Sequence, residues 1–159
     1  MNWFRNPRFY ADGLPGVGLL ILRLWMGYAM AMHGLPKMSN PFGWMGPNVP
    51  GVLQGLAAAG EFFGGLGLLF GALTPIAAFG VMSVMFVATL SFFTNDVTPT
   101  YFVNMGPKVP GDNAEAPFVY FIFALTLFLT GPGLLSIDAF LAKYLLGRKT
   151  TPPAVTKTS

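Results

Sequence analysis

The chain has 159 residues and a formal charge of +3, with 53% hydrophobic and 9% charged residues. A soluble domain averages about 25% charged residues, so a chain this poor in charge has to turn much of its surface to lipid. The few Lys and Arg residues fall near the ends of hydrophobic runs without a basic groove or RNA-binding motif, which argues against a nucleic-acid partner. The absence of cysteine removes thiol chemistry, including CxxC relays. The single histidine cannot supply two axial haem ligands within one chain, and with scattered acids it makes no metal site.

Residues 1–14 mix Arg5 and Arg8 with Trp3, Phe4, Phe9 and Tyr10, a composition suited to a membrane interface. The first hydrophobic run, about 15–35, is long enough to cross a hydrocarbon core of about 30 Å. Ala29-Met30-Ala31 resembles a signal-peptide cleavage site, but Arg23 interrupts the apolar stretch and the leader before it is long, which favours a retained span. Residues 36–51 form a loop broken by Pro36, Pro41, Pro47 and Pro50. Further spans are expected at about 52–73, 76–93 and 118–130, separated by a Thr74-Pro75 turn and a polar loop over 94–117.

Gly131-Pro132-Gly133 closes the fourth span, and Leu134–Leu146 reads as a short amphipathic helix with Ser136 as N-cap. The Thr, Pro and Lys tail over 147–159 is expected to be disordered. The fold class is therefore all-α: a polytopic membrane protein, with a four-transmembrane-helix bundle over 15–146 and a short C-terminal amphipathic helix. Four spans put both termini on one side. That side carries Arg5, Arg8, Lys143, Arg148, Lys149 and Lys157 against Lys37 and Lys108 on the other, so the positive-inside rule predicts cytoplasmic termini.

An ionisable group inside a span costs about 2.5–3.5 kcal/mol on insertion scales, so each one needs a reason. Arg23 lies roughly 10 Å from the inner end of the first span, and Glu61 roughly 18 Å from the same end of the second. A long arginine side chain could bridge most of that gap, either as a structural ion pair or as a polar site for a proton or ligand. Gly60, Gly64, Gly67 and Gly71 recur at helical spacing beside Glu61 and predict close helix packing. His33, near the outer end of the first span, is either an interfacial histidine bonded to a neighbour or a proton donor and quinone-oxygen ligand. Asp138 is explained by the helix dipole at the start of the last helix, and could also meet Arg23. Arg23, Asp138 and Lys37 are the candidates for ion pairing or ligand positioning. Trp44, Tyr101 and Phe102 in the outer loops are candidate partner contacts.

Several stretches together resemble the DoxX family of small bacterial membrane proteins. They are Leu22-Arg23-Leu24, His33-Gly34-Leu35-Pro36-Lys37, Gly60-Glu61-Phe62-Phe63-Gly64-Gly65-Leu66, Leu69-Phe70-Gly71-Ala72-Leu73-Thr74 and Gly131-Pro132-Gly133-Leu134-Leu135-Ser136-Ile137-Asp138. The resemblance runs over residues 16–146. It departs at Pro75, where members often carry an arginine; if that arginine serves a ligand or an acid, this chain either lacks the contact or uses Arg23 instead.

The resemblance implies a four-helix fold in the bacterial inner membrane and a link to redox chemistry, since DoxX and DoxD relatives are associated with thiosulfate:quinone oxidoreductase and with detoxifying oxidoreductase complexes. On that basis the leading expectation is a membrane subunit of an oxidoreductase, with other membrane or redox subunits as partners and no covalently bound cofactor. A quinone is the implied ligand, with Glu61 and His33 as catalytic groups and Arg23 holding Glu61 ionised. A non-catalytic assembly subunit and a small proton-coupled carrier are the alternatives.

Overall fold

The computed structural model describes residue 11 and residues 13–94, 115–133 and 135–145. Most of the interfacial segment over 1–14, the polar loop with Tyr101, Phe102 and Lys108, and the tail over 147–159 lie outside the described residues. Among the described residues all regular structure is helical: α1 (Gly13–Gly34), a 3-10 turn (Leu35–Ser39), α2 (Gly51–Phe70), α3 (Thr74–Thr94), α4 (Glu115–Thr130) and α5 (Ile137–Leu145). The continuous helical run Gly13–Ser39 and α2 are long and apolar enough to cross a membrane, while Thr74–Leu90 and Ala116–Thr130 are shorter apolar helices.

From α1 to α4 consecutive helices pack on one another, and a lighter contact between α1 and α4 closes the bundle. Its core is Met26 and Met30 from α1, Leu68 from α2, Ala77, Ala78, Val81 and Met85 from α3, and Ala124 and Leu127 from α4. The outward faces are apolar too: Leu14, Ile21, Trp25, Val52, Leu56, Ile76, Val87 and Leu129 are all exposed. A water-soluble bundle would put polar residues there.

The helix ends explain where the expected boundaries shifted. The second hydrophobic run continues to Leu73, but α2 stops at Phe70 because Gly71 takes a left-handed conformation, φ 64° and ψ 41°. The Gly71 N–H then bonds the Leu68 carbonyl at 3.2 Å and the Ala72 N–H the Gly67 carbonyl at 2.9 Å, which closes the orphan carbonyls of the last turn. Gly71 is therefore a helix cap, whereas Gly60, Gly64 and Gly67 face α3. A Cβ at Gly60 would lie 2.8 Å from Val84 Cγ2, one at Gly64 2.9 Å from Val81 Cγ2, and one at Gly67 2.7 Å from Ala77 Cβ. Pro75 falls in the first turn of α3, where its missing N–H costs nothing.

The tightest contact is between α1 and α2. A Cβ at Gly27 would fall 2.7 Å from the Leu69 Cα, one at Gly34 2.8 Å from the Phe62 Cα, and one at Gly65 2.9 Å from the Ala31 Cα. These pairs also set the register. Gly34 lies opposite Phe62, Ala31 opposite Gly65, and Gly27 opposite Leu69. Thus α1 ends level with the middle of α2, about 16 Å short of Gly51 at 1.5 Å per residue. At the other end Gly13–Leu22 runs on past the α2–α3 turn.

Candidate functional site

The register places the ionisable side chains in two separate clusters. Arg23 is level with the α2–α3 turn: a Cβ at Gly71 would collide with its guanidinium. Glu61 lies ten residues back along α2, about 15 Å away. That gap exceeds the reach of an arginine, so the expected Arg23–Glu61 bridge is not formed. The span-by-span depth count assumed that both helices start at the same level, and the offset of α1 removes that assumption.

Glu61 pairs with Lys37 instead. The Lys37 Nζ donates to Glu61 Oε1 at 2.6 Å and Oε2 at 2.5 Å. Glu61 is fully buried and the Lys37 side chain is 15% exposed. Lys37 reaches this depth because it belongs to the 3-10 turn that follows the early end of α1. Its ammonium also lies 4.3 Å from the centre of the Trp44 ring, an attractive cation–π geometry. A charge-assisted bidentate contact inside a span is stronger than its surface counterpart, and breaking it strands a buried charge.

His33 lies one helical turn before Lys37, half-buried, with its ring edge-on to Tyr120 of α4 at 6.1 Å between centroids. It marks the α1–α4 seam. Trp44, expected as a partner contact, is engaged within the chain: its indole N–H donates to the Gln54 backbone carbonyl at 3.0 Å.

Gln54 was not anticipated. It is 1% exposed, and its amide bonds the preceding loop at Met45, Gly46 and Val49. A lone amide near the start of an apolar span was the available signal, since such a group must find partners.

The other cluster is built on Arg23 and Asp138. Arg23 is 2% exposed. Its Nη1 donates to the Pro132 carbonyl at 2.7 Å, and its Nη2 donates to the Leu135 carbonyl. Asp138 is 3% exposed. Its Oδ1 accepts the Leu73 N–H and its Oδ2 the Thr74 N–H, both at 2.8 Å, while the Asp138 N–H donates to the Gly71 carbonyl at 2.9 Å. The carboxylate thus caps α3 from the first turn of α5, where the Asp138 N–H is itself satisfied by the Gly71 carbonyl. Ser136 caps α5 by accepting the Ala139 N–H at 3.1 Å. Leu73 has a φ of 49°, a left-handed conformation costing about 1–2 kcal/mol for a residue with a Cβ, and the grip of Asp138 on its N–H helps hold it there.

The two clusters can do different things. The Arg23–Asp138 cluster consists of backbone caps and carbonyl clamps and ties the α4–α5 turn to α1 and the α2–α3 turn. The Lys37–Glu61 cluster joins a carboxylate, an ammonium and an indole, with the His33 imidazole one turn away and Tyr120 against it. Among the described residues no group of His, Asp and Glu could hold a metal ion.

No curated protein and no solved structure matches the chain significantly. A family model described as DoxX matches residues 18–94, which takes in α1 from its second turn through α3, with Arg23, His33, Lys37 and Glu61, and stops before Asp138. Over that stretch, just under half of the chain, the sequence matches the DoxX family, and the match together with the long apolar helices supports a membrane protein of DoxX type.

Proposed function

We propose that this chain is a subunit of a quinone-linked oxidoreductase in the bacterial inner membrane, crossing it four times with both termini in the cytoplasm. The observation that carries the reading is the buried Lys37–Glu61 pair beneath Trp44. Structural salt bridges are rare at such depth, and ionisable groups there mark ligand and proton pathways. The residues suit a quinone: the Lys37 ammonium and the His33 ring can donate to its oxygens, Glu61 can take up or release a proton, and Trp44 and Tyr120 offer aromatic faces. A bound quinone would supply the electron-accepting chemistry. The chain's own part is to hold its oxygens and to exchange protons at Glu61 and His33.

The test is gentle purification of the tagged protein from native membranes, followed by quinone extraction and identification of copurifying polypeptides. Glu61→Gln should insert normally and lose both the quinone and quinone-linked activity. Full retention of both in that variant removes the assignment.

One observation favours a second reading, a non-catalytic assembly subunit. Both Glu61 oxygens are already taken by Lys37, as expected of a purely structural lock. The partner would then meet the outer loops, with Tyr101 and Phe102 as contacts. Deletion of the gene should lower partner abundance in this case, and the purified chain should carry no quinone.

A further inference from the structure

Because α1 ends level with Phe62, it does not cover the first ten residues of α2, where Gln54 and Ala58 share a helical face with Glu61. Beyond the 3-10 turn that packs on α2, the loop over 40–50 lies on Gln54 and Gly55 and reaches Lys37 through Trp44. The loop is wound by successive turns, in which the N–H groups of Asn40, Gly43 and Gly46 bond the carbonyls of Lys37, Asn40 and Gly43, each at 3.2 Å. Phe42 lies against its far edge, near enough that a Cβ at Gly55 would touch the Phe42 ring at 2.6 Å.

Gln54 fastens this loop. Its Oε1 accepts the Met45 N–H at 2.6 Å, and its Nε2 donates to the Gly46 carbonyl at 2.9 Å and the Val49 carbonyl at 2.8 Å. Its own backbone carbonyl takes the Trp44 indole N–H at 3.0 Å. One buried side chain therefore satisfies three peptide groups of a loop that has neither helix nor sheet to do so. The indole it helps to place is the one that lies over Lys37. Peptide groups released from such a fastener need water, so the loop can lift only toward an aqueous phase.

We infer that Gln54 is a positioning residue that latches the 40–50 loop as a lid over Lys37–Glu61, and that the pair opens through this lid to the outer aqueous phase. Water and protons reach Glu61 by that route. The inference rests on the proposed reading of Lys37–Glu61 as a working site facing outward. Its test reads access alone, so loss of the quinone assignment would leave the result standing.

The 159 residues contain no cysteine, so a single introduced thiol reports without background. Ala58 is fully buried and lies between Gln54 and Glu61 on one helical face. Ala58→Cys is placed in the full chain in membrane vesicles of both orientations and treated with a charged, membrane-impermeant thiol reagent. Labelling should be slow from either side. Adding Gln54→Ala should raise the rate by about tenfold or more, from the loop side only, and Gln54→Glu should give a smaller rise because it keeps the acceptor.

Leu127→Cys, equally buried in the bundle core, should stay slow in the Gln54→Ala background. Unchanged Ala58→Cys rates, labelling from the opposite side, or a parallel rise at Leu127→Cys would each overturn the lid. The last of these would show general loosening instead.

Discussion

Lys37 and Glu61, twenty-four residues apart in sequence, meet through both carboxylate oxygens at 2.6 and 2.5 Å inside the bundle. The contact exists because α1 stops early and hands over to a 3-10 turn, which carries an ammonium to the depth of the middle of α2.

Removing one partner should therefore cost far more than removing both. Lys37→Met strands a buried carboxylate and should lower stability by about 3–5 kcal/mol. The double variant Lys37→Met/Glu61→Gln should recover much of that loss, because no charge is left behind. Thermal unfolding of the detergent-solubilised single and double variants gives the coupling directly. Equal losses in Lys37→Met and the double variant would mean that the stranded carboxylate is not the source of the cost.

The α1–α2 contact should tolerate no side chain at its closest point. Gly65→Ala places a methyl against the Ala31 backbone. The two helices must then separate, which should cost about 1–3 kcal/mol. Gly18→Ala meets nothing within 4 Å and should stabilise α1 by about 0.5–1 kcal/mol through helix propensity. The opposite signs of the two melting shifts are the check.

At the α2–α3 turn, Asp138→Ala removes the acceptor of the Leu73 and Thr74 N–H groups. The expected loss is about 1–3 kcal/mol, and Asp138→Asn should lose less because an amide oxygen can still cap. Leu73→Gly should partly offset the Asp138→Ala defect by relieving its left-handed backbone. Protease release of the C-terminal helix in the three variants should follow the same order as their melting temperatures.

Arg23→Lys keeps the charge but exchanges a planar fork for a single point. It cannot reproduce donation to both Pro132 and Leu135. Stability should fall by about 1–3 kcal/mol, and the α4–α5 turn should exchange its amide hydrogens faster. Hydrogen exchange equal to the parent protein would show that the clamp is not needed to hold that turn.

The helical pattern was legible in the sequence, because Pro and Gly mark most ends of the hydrophobic runs and the polar Thr94-Asn95-Asp96 marks the end of the third. Gly60, Gly64 and Gly67 were readable as a packing face from their spacing, and Asp138 and Ser136 as terminal residues of the last helix. What failed was vertical position. Arg23 was assigned to Glu61 on the assumption that both spans begin at one level, yet the axial offset between two helices is fixed by their interlocking glycines and not by either helix alone. The stripe Gly27, Ala31 and Gly34 carried that information at spacings of four and three, but only together with Gly65 does it define a register. The role of Asp138 as cap of α3 was out of reach for the same reason, because the two meet across 64 residues.

The acceptors of Arg23 are the carbonyls of Pro132 and Leu135, 109 and 112 residues downstream. During synthesis α1 is made long before they exist. The guanidinium therefore lacks these acceptors until the α4–α5 turn has been made, and the clamp on α1 closes only after α4 exists. A nascent chain that stops before that turn carries an arginine within an apolar helix without the carbonyls that satisfy it.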